Sequence, residues 1–229
     1  MSVVHPGLRA VFFDAVGTLI FPHPPAHEVY ASLAAKQGVN LDPRAVRERF
    51  LAAYRIEEDA DRASGWVTSE IRERERWRNI VTSALCGLPN PATAFCELFE
   101  HFAQPSSWRV NSDSEAVLAT LAERGLALGM GTNYDSRVSR VVAGLPQLAR
   151  LADRLVISAD VGFRKPAPEF FREVIRAAGF EPRAILFVGD DVENDYHGAR
   201  AAGLGAVLLD PRSEANVERR IASLSELVS

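Results

Sequence analysis

The chain has two cysteines, Cys86 and Cys96, and no CxxC spacing, which argues against a disulfide or metal pair and for two buried or idle thiols. It has no surplus of basic charge. With 26 Lys and Arg against 30 Asp and Glu, a formal net charge of -4, nothing electrostatic points to nucleic acid, which demands a basic patch. No apolar run approaches the roughly 20 residues of a membrane span. Met1 to Leu8 lacks the basic start and apolar core of a signal peptide, so a cytoplasmic protein is expected. Internal repeats and low-complexity tracts are missing too. What remains is 229 residues, 47% of them hydrophobic, enough for one large domain or for a core with an inserted module.

Five short runs rich in Val, Ile, Leu and Phe read as buried parallel strands: Leu8 to Phe13, Leu126 to Met130, Leu155 to Ser158, Ile185 to Gly189 and Ala206 to Leu209. From the second onward, helical patterns separate them: Arg137 to Ala149, Pro168 to Ala178 and Asp195 to Ala202. This is the alternation of a doubly wound α/β sheet. The first interval breaks that rhythm. Between Thr18 and Trp108 helix follows helix, Ala26 to Gln37, Pro43 to Asp59, Thr68 to Leu85 and Ala92 to Phe102, which is too much for a crossover. The chain therefore divides into a core of residues 1-20 and 108-229 and an inserted helical module of residues 21-107. Linkers fall near residues 20 to 25 and 104 to 112, the first stiffened by Pro22, Pro24 and Pro25. The charged stretch Ile71-Arg72-Glu73-Arg74-Glu75-Arg76-Trp77-Arg78 is expected to be a solvated helix whose Ile71 and Trp77 face inward.

Polar residues stand just after four of the five strands, on the edge where open α/β sheets hold their ligands. Asp14 and Thr18 follow the first, Thr132 and Asn133 the second, Lys165 and Pro166 the third, and Asp190, Asp191 and Asp195 the fourth. Singly, each has a structural explanation: acids cap helices, Thr-Asn makes turns, and a lysine before Pro-Ala-Pro sits in a loop. Taken together, in this order and converging on one crevice, they point to a reaction centre.

The order resembles the four motifs of the haloacid dehalogenase-like hydrolase superfamily, carried here by Asp14 to Thr18, Thr132, Lys165, and Gly189-Asp190 with Asp195. The resemblance extends to Lys165-Pro166-Ala167-Pro168-Glu169-Phe170-Phe171 and to Asp195-Tyr196-His197-Gly198-Ala199-Arg200-Ala201-Ala202-Gly203. Both stretches are characteristic of members with a helical cap between motifs one and two. The resemblance implies a Rossmann-like core carrying that cap. The chain departs from the usual Asp-x-Asp-Gly-Thr at one position, where Val16 replaces the second acid, the acid/base. That replacement and the spacing of the fourth motif resemble the rhythmically-expressed-gene-2-like subgroup.

The resemblance implies a Mg2+-dependent phosphatase acting on a small phosphorylated metabolite through an aspartyl-phosphate on Asp14. A carboxylate attacks phosphorus only where a cation, an ammonium and hydroxyl or N–H donors neutralise the phosphoryl oxygens. Asp14 and Asp190 are hard oxygen ligands suited to Mg2+, and by resemblance the backbone carbonyl of Val16 completes the set. Lys165 would neutralise the phosphoryl group and hold Asp14 ionised, Thr132 would donate to a phosphoryl oxygen, and Thr18 and Asn133 would join in binding substrate. Asp195 would orient Lys165 or a metal-bound water. Val16 can neither protonate a leaving alkoxide nor activate water, a loss worth roughly 10² to 10⁴ in rate.

Substitute acids are at hand in sequence, His23, His27 and Glu28 where the module begins and Asp135 after motif two, although each reads more readily as a surface residue of a linker or helix. His5, His101 and His197 have no partner pattern. Two other functions stay open. A 2-haloacid dehalogenase-like hydrolase also lacks the second acid, although Asp190 and Phe171 depart from that pattern. A catalytically idle phospho-ligand binding protein would keep the crevice without turnover. Phosphonate cleavage would need an activated lysine in the module, where only Lys36 occurs. Substrate identity and oligomeric state have no local signature.

Overall fold

The computed structural model describes residues 7–229. His5 and most of the Met1 to Leu8 segment lie outside the described residues. Strand β1 (Ala10–Phe13) is buried at every position and leads into a short ribbon strand, β2 (Ile20–Pro22). Four helices follow: α1 (Ala26–Lys36), α2 (Pro43–Ala63), α3 (Glu70–Ala84) and α4 (Pro91–His101). The chain then passes through β3 (Trp108–Val110) and α5 (Ser114–Glu123) to β4 (Ala127–Thr132), α6 (Arg137–Ala143) and β5 (Leu155–Ile157). After α7 (Ser158–Val161) and α8 (Pro168–Ala178) come β6 (Ile185–Gly189), α9 (Gly198–Ala201), β7 (Gly205–Leu209) and β8 (Arg220–Ile221).

Six strands form one parallel sheet in the order β5-β4-β1-β6-β7-β8. Helices cover both faces, which is why the central strands are continuously apolar rather than alternating. Phe13 lies opposite Met130 on one side and Val188 on the other. The chain builds outward from β1 through β4 and β5, then returns to the other side of β1 with β6. The topology thus reverses beside β1 and opens a crevice at the carboxyl ends of β1, β4 and β6.

Helices α1 to α4 enclose an apolar core of their own, with Tyr30, Leu33, Val46, Val81, Phe95 and Leu98 at its centre. Asp42 caps α2 by accepting from Arg44 N at 3.0 Å, with Pro43 in the first turn, and Ser69 caps α3. The two linkers are not free coil. They pair antiparallel as β2 and β3, with Ile20 opposite Val110 and Pro22 opposite Trp108.

Several elements differ from the sequence-based expectation. The helix expected over Arg137 to Ala149 stops at Ala143, because Gly144 follows and Pro146, which has no N–H to donate, opens a separate 3₁₀ run from Pro146 to Arg154. The helix expected from Asp195 begins earlier, as a π-helical turn over Val192–His197. Strand β8 adds a sixth member to the sheet. In the charged stretch of α3, Trp77 faces inward as expected, packed on the α1–α4 core, but Ile71 is 72% exposed, whereas Glu73 and Arg76 are each 1% exposed. Their inward face meets other charges rather than apolar side chains. Cys86 and Cys96 are free, and both are exposed rather than buried. Among the described residues no helix is long and apolar enough to cross a membrane.

Candidate active site

Asp14 extends the β1 ladder by one residue, its N–H donating to Val188 O at 2.8 Å, so the sheet itself fixes where the carboxylate starts. The chain then turns tightly, with Leu19 N and Ile20 N both donating to Ala15 O. Gly17 makes this turn possible. Its φ is +99°, and a Cβ there would lie 2.3 Å from Asp190 Oδ2, so only glycine lets the loop pass the acid. Thr18 is fully buried and its hydroxyl donates to Asp190 Oδ1 at 3.1 Å, tying motif one to motif four.

Lys165 joins the remaining motifs. Its Nζ donates to Asp14 Oδ1 and to Asp195 Oδ1, each at 2.6 Å, and to Gly131 O at 3.1 Å, which uses all three ammonium protons. Asn133 grips the lysine's backbone from both sides: Lys165 N donates to its Oδ1 at 2.7 Å and its Nδ2 donates to Lys165 O at 3.0 Å. Asp195 Oδ2 accepts from Asp191 N at 3.1 Å, so both oxygens of Asp195 are committed. Thr18 and Asn133, both expected to bind substrate, hold Asp190 and Lys165 through their side chains, and Asn133 also lines the crevice. Thr132 makes no side-chain hydrogen bond and lines the crevice, as does Val16, 36% exposed.

Carboxylate oxygens of Asp14, Asp190 and Asp195 all lie within 4.8 Å of one another. Burial pushes Asp14 above the usual carboxylate range, opposed by the Lys165 charge. Asp190 is exposed, lining both the crevice and a second hollow beside Gly17 and Asp210, yet desolvation by the protein around it raises it to about 6, helped by the charge of Asp195. Asp195 is raised to about 7 by burial, against the pull of Lys165. For Lys165 burial works against the charge, but Asp14 and Asp195 more than offset it and hold the ammonium charged well above its ordinary range. Three crowded acids with one lysine are short of positive charge, which is the electrostatic signature of a cation site.

None of the substitute acids reaches this point. His23, His27 and Glu28 do not line the crevice. Asp135 is 1% exposed and holds Arg137 Nε and Nη2, each at 2.6 Å. His101 and His197 also lie outside the lining.

A profile of haloacid dehalogenase-like hydrolases matches residues 8–203, the span that contains every one of these site residues. The chain belongs to the haloacid dehalogenase-like hydrolases. It is similar to haloacid dehalogenase-like hydrolase domain-containing protein 3 of Mus musculus, 33% identical over 88% of this chain and 82% of that one. It is also similar to phosphoserine phosphatase of Thermus thermophilus, 34% identical over 62% of this chain and 58% of that protein. A solved HAD phosphatase from Thermococcus onnurineus shares the fold with a TM-score of 0.69, 26% identity and 96% coverage of both chains. In this haloacid dehalogenase-like hydrolase the sequence motifs located the acids and Lys165 but not the supporting contacts. The Asn133 clamp had a signal, an amide next to the motif-two threonine, but its partner is 32 residues away.

Proposed function

We propose that this hydrolase is a Mg2+-dependent phosphatase that transfers the phosphoryl group of a small metabolite to Asp14. The observation that carries the reading is Lys165 bonded at 2.6 Å to both Asp14 and Asp195, beside Asp190. The phosphatases among its relatives support the same reaction class.

The donor set fits the cation. Carboxylate oxygens of Asp14 and Asp190 lie within 4.8 Å of each other, and with the carbonyl of Val16 they supply the hard oxygens that Mg2+ takes. Bound there, Mg2+ would neutralise charge on the phosphoryl oxygens and align the ester. Asp14 forms the new O–P bond as the ester P–O bond breaks, and water then cleaves the aspartyl-phosphate. Lys165 keeps Asp14 ionised despite burial and offsets phosphoryl charge, Asp195 and Asn133 hold the lysine in place, and Thr132 donates its free hydroxyl. Residues 21-107 serve as a cap over the core of residues 1-20 and 108-229, with the β2–β3 ribbon as the connection.

Val16 defines the character of this phosphatase. No proton donor stands where the leaving oxygen departs, so esters with stable leaving anions should react best. A screen of aryl and alkyl phosphates with and without Mg2+ tests the proposal, with Asp14→Asn as control. Turnover that survives EDTA, or that survives Asp14→Asn, sinks it.

A further inference from the structure

The crevice over the acids is continuous with an aromatic-walled space between the helices, and together they make one chamber of about 360 Å³. Tyr30 of α1, Phe50 and Tyr54 of α2, Trp77 of α3, Phe95 of α4 and the neighbouring Phe102 line it. The rings brace one another. Phe50 meets Tyr30 edge-on with centroids 5.8 Å apart, and it lies 6.2 Å from Tyr54 and 6.4 Å from Trp77. A chamber shaped in advance costs a ligand little in ordering. Its size is near the lower end of small-molecule pockets, roughly 300 to 1,000 Å³.

The charges on the walls are equally informative. Arg137 and Lys165 are the only basic residues in the lining, and Lys165 serves the phosphoryl end. Arg137 is neutralised: it is forked onto both oxygens of Asp135, its Nη1 donates to Phe99 O at 2.9 Å, and its guanidinium lies 3.4 Å from the Phe99 ring centre. Asp191 adds a further negative group. A second phosphate or a carboxylate on the substrate would therefore be desolvated without a counter-charge, which is costly. An apolar ring would surrender only its water and gain ring contacts.

We infer that the substrate is a monophosphate ester whose organic part is one compact apolar group, an aromatic ring by preference, with no second anionic group. The inference rests on the phosphatase reading of Asp14, and it separates this chain from enzymes that accept phosphoserine or a bisphosphate.

Binding and turnover test the two ideas separately. Calorimetry in Mg2+ would compare benzylphosphonate, methylphosphonate and phosphonoacetate, none of which offers a P–O ester to cleave. Burying one ring predicts benzylphosphonate tighter than methylphosphonate by about tenfold or more, with phosphonoacetate no tighter than methylphosphonate. Trp77→Ala should lower the benzyl-to-methyl ratio several-fold. Equal affinities, a preference for phosphonoacetate, or no binding of any of the three overturns the inference. Because Val16 favours good leaving groups, turnover is compared between two alkyl esters, 2-phenylethyl phosphate and phosphoserine, with the former expected about tenfold higher in kcat/KM. If the benzyl preference holds but neither these esters nor aryl phosphates turn over, the phosphatase reading falls and the chamber's selectivity stands. If esters turn over with phosphoserine equal or better, the reading stands and this inference falls.

Discussion

Arg164, the residue before Lys165, donates from Nη1 to Glu73 Oε1 of α3, and both side chains are buried. The pair belongs to a larger group. Asp61 of α2 accepts from Arg72 at 2.6 Å and from Arg76 at 2.9 Å and lies 3.5 Å from Arg164 Nε, while Glu58 holds Arg76 at 2.7 Å and Asn194 at 3.2 Å. A short backbone bridge runs alongside, with Arg164 N donating to Trp66 O and Thr68 N to Gly162 O, each at 2.9 Å. Helices α2 and α3 and the turn between them are thus tied to the two segments that carry Lys165 and Asp195.

Removing the hub of this network should be costly. Asp61→Ala takes a shared, fully buried partner from Arg76 and Arg164 and leaves each with one close acid, Glu58 and Glu73 respectively, so a loss of up to about 3 to 5 kcal/mol is expected, the range for breaking a buried pair on one side. Urea unfolding measures it. A loss below about 1 kcal/mol, the scale of surface pairs, would show that water reaches these charges.

Gly17 and Thr18 set the position of Asp190, so both are expected to affect the proposed Mg2+ binding. Gly17→Ala places a Cβ against the Asp190 carboxylate and strains a backbone at φ +99°, while Thr18→Val removes the hydroxyl that orients it. Each should weaken Mg2+ binding by about 10- to 100-fold, the usual effect of disturbing a group behind a ligand. Calorimetry that finds wild-type affinity in both variants would remove Asp190 from the metal site.

How much of this was legible beforehand follows from distance along the chain. The strand runs and their terminal acids are local patterns, so β1, β4, β6 and β7 and the motif residues could be read directly. The two- and three-residue strands β2, β3 and β8 carry too few side chains to show a period. The α3 charges were misread because alternating Arg and Glu normally marks a solvated helix, and the partner that buries them, Arg164, is 91 residues from Glu73. The contacts of Thr18 with Asp190 and of Asn133 with Lys165 escaped for the same reason: which group a polar side chain meets depends on which strand end lies opposite.

The acids of the site make stability depend on pH in a definite direction. Asp190 at about 6 and Asp195 at about 7 hold protons in the native state that the unfolded chain, titrating near 3.8, has released. The stabilisation is therefore complete below about pH 4 and is lost as pH rises through 6 to 7 in the metal-free protein. Mg2+ replaces those protons, so the Tm gain from saturating Mg2+ should be larger at pH 7.5 than at pH 5. Thermal melts in EDTA and in Mg2+ at both values check this. A gain that is flat or shrinks with pH would mean the acids are not where the cation binds.

Val16 offers the most direct test of the chemistry. Its side chain opens onto the crevice beside Asp14, while Asp135 is locked to Arg137 and His23, His27 and Glu28 lie outside the lining. With no proton donor in place, alkyl phosphates should be poor substrates and aryl phosphates, whose leaving anions are stable, much better. Val16→Asp should raise alkyl turnover by up to roughly 10² to 10⁴, the value of a positioned general acid, and should change aryl turnover far less. The new carboxylate enters a site already crowded with three acids, so the variant is checked for Mg2+ binding alongside its rates. If it folds, binds Mg2+ and leaves the aryl-to-alkyl ratio unchanged, the missing acid at position 16 is not what limits this enzyme. His23→Ala, His27→Ala and Glu28→Ala then show whether cap movement brings one of them in, through selective loss of alkyl activity.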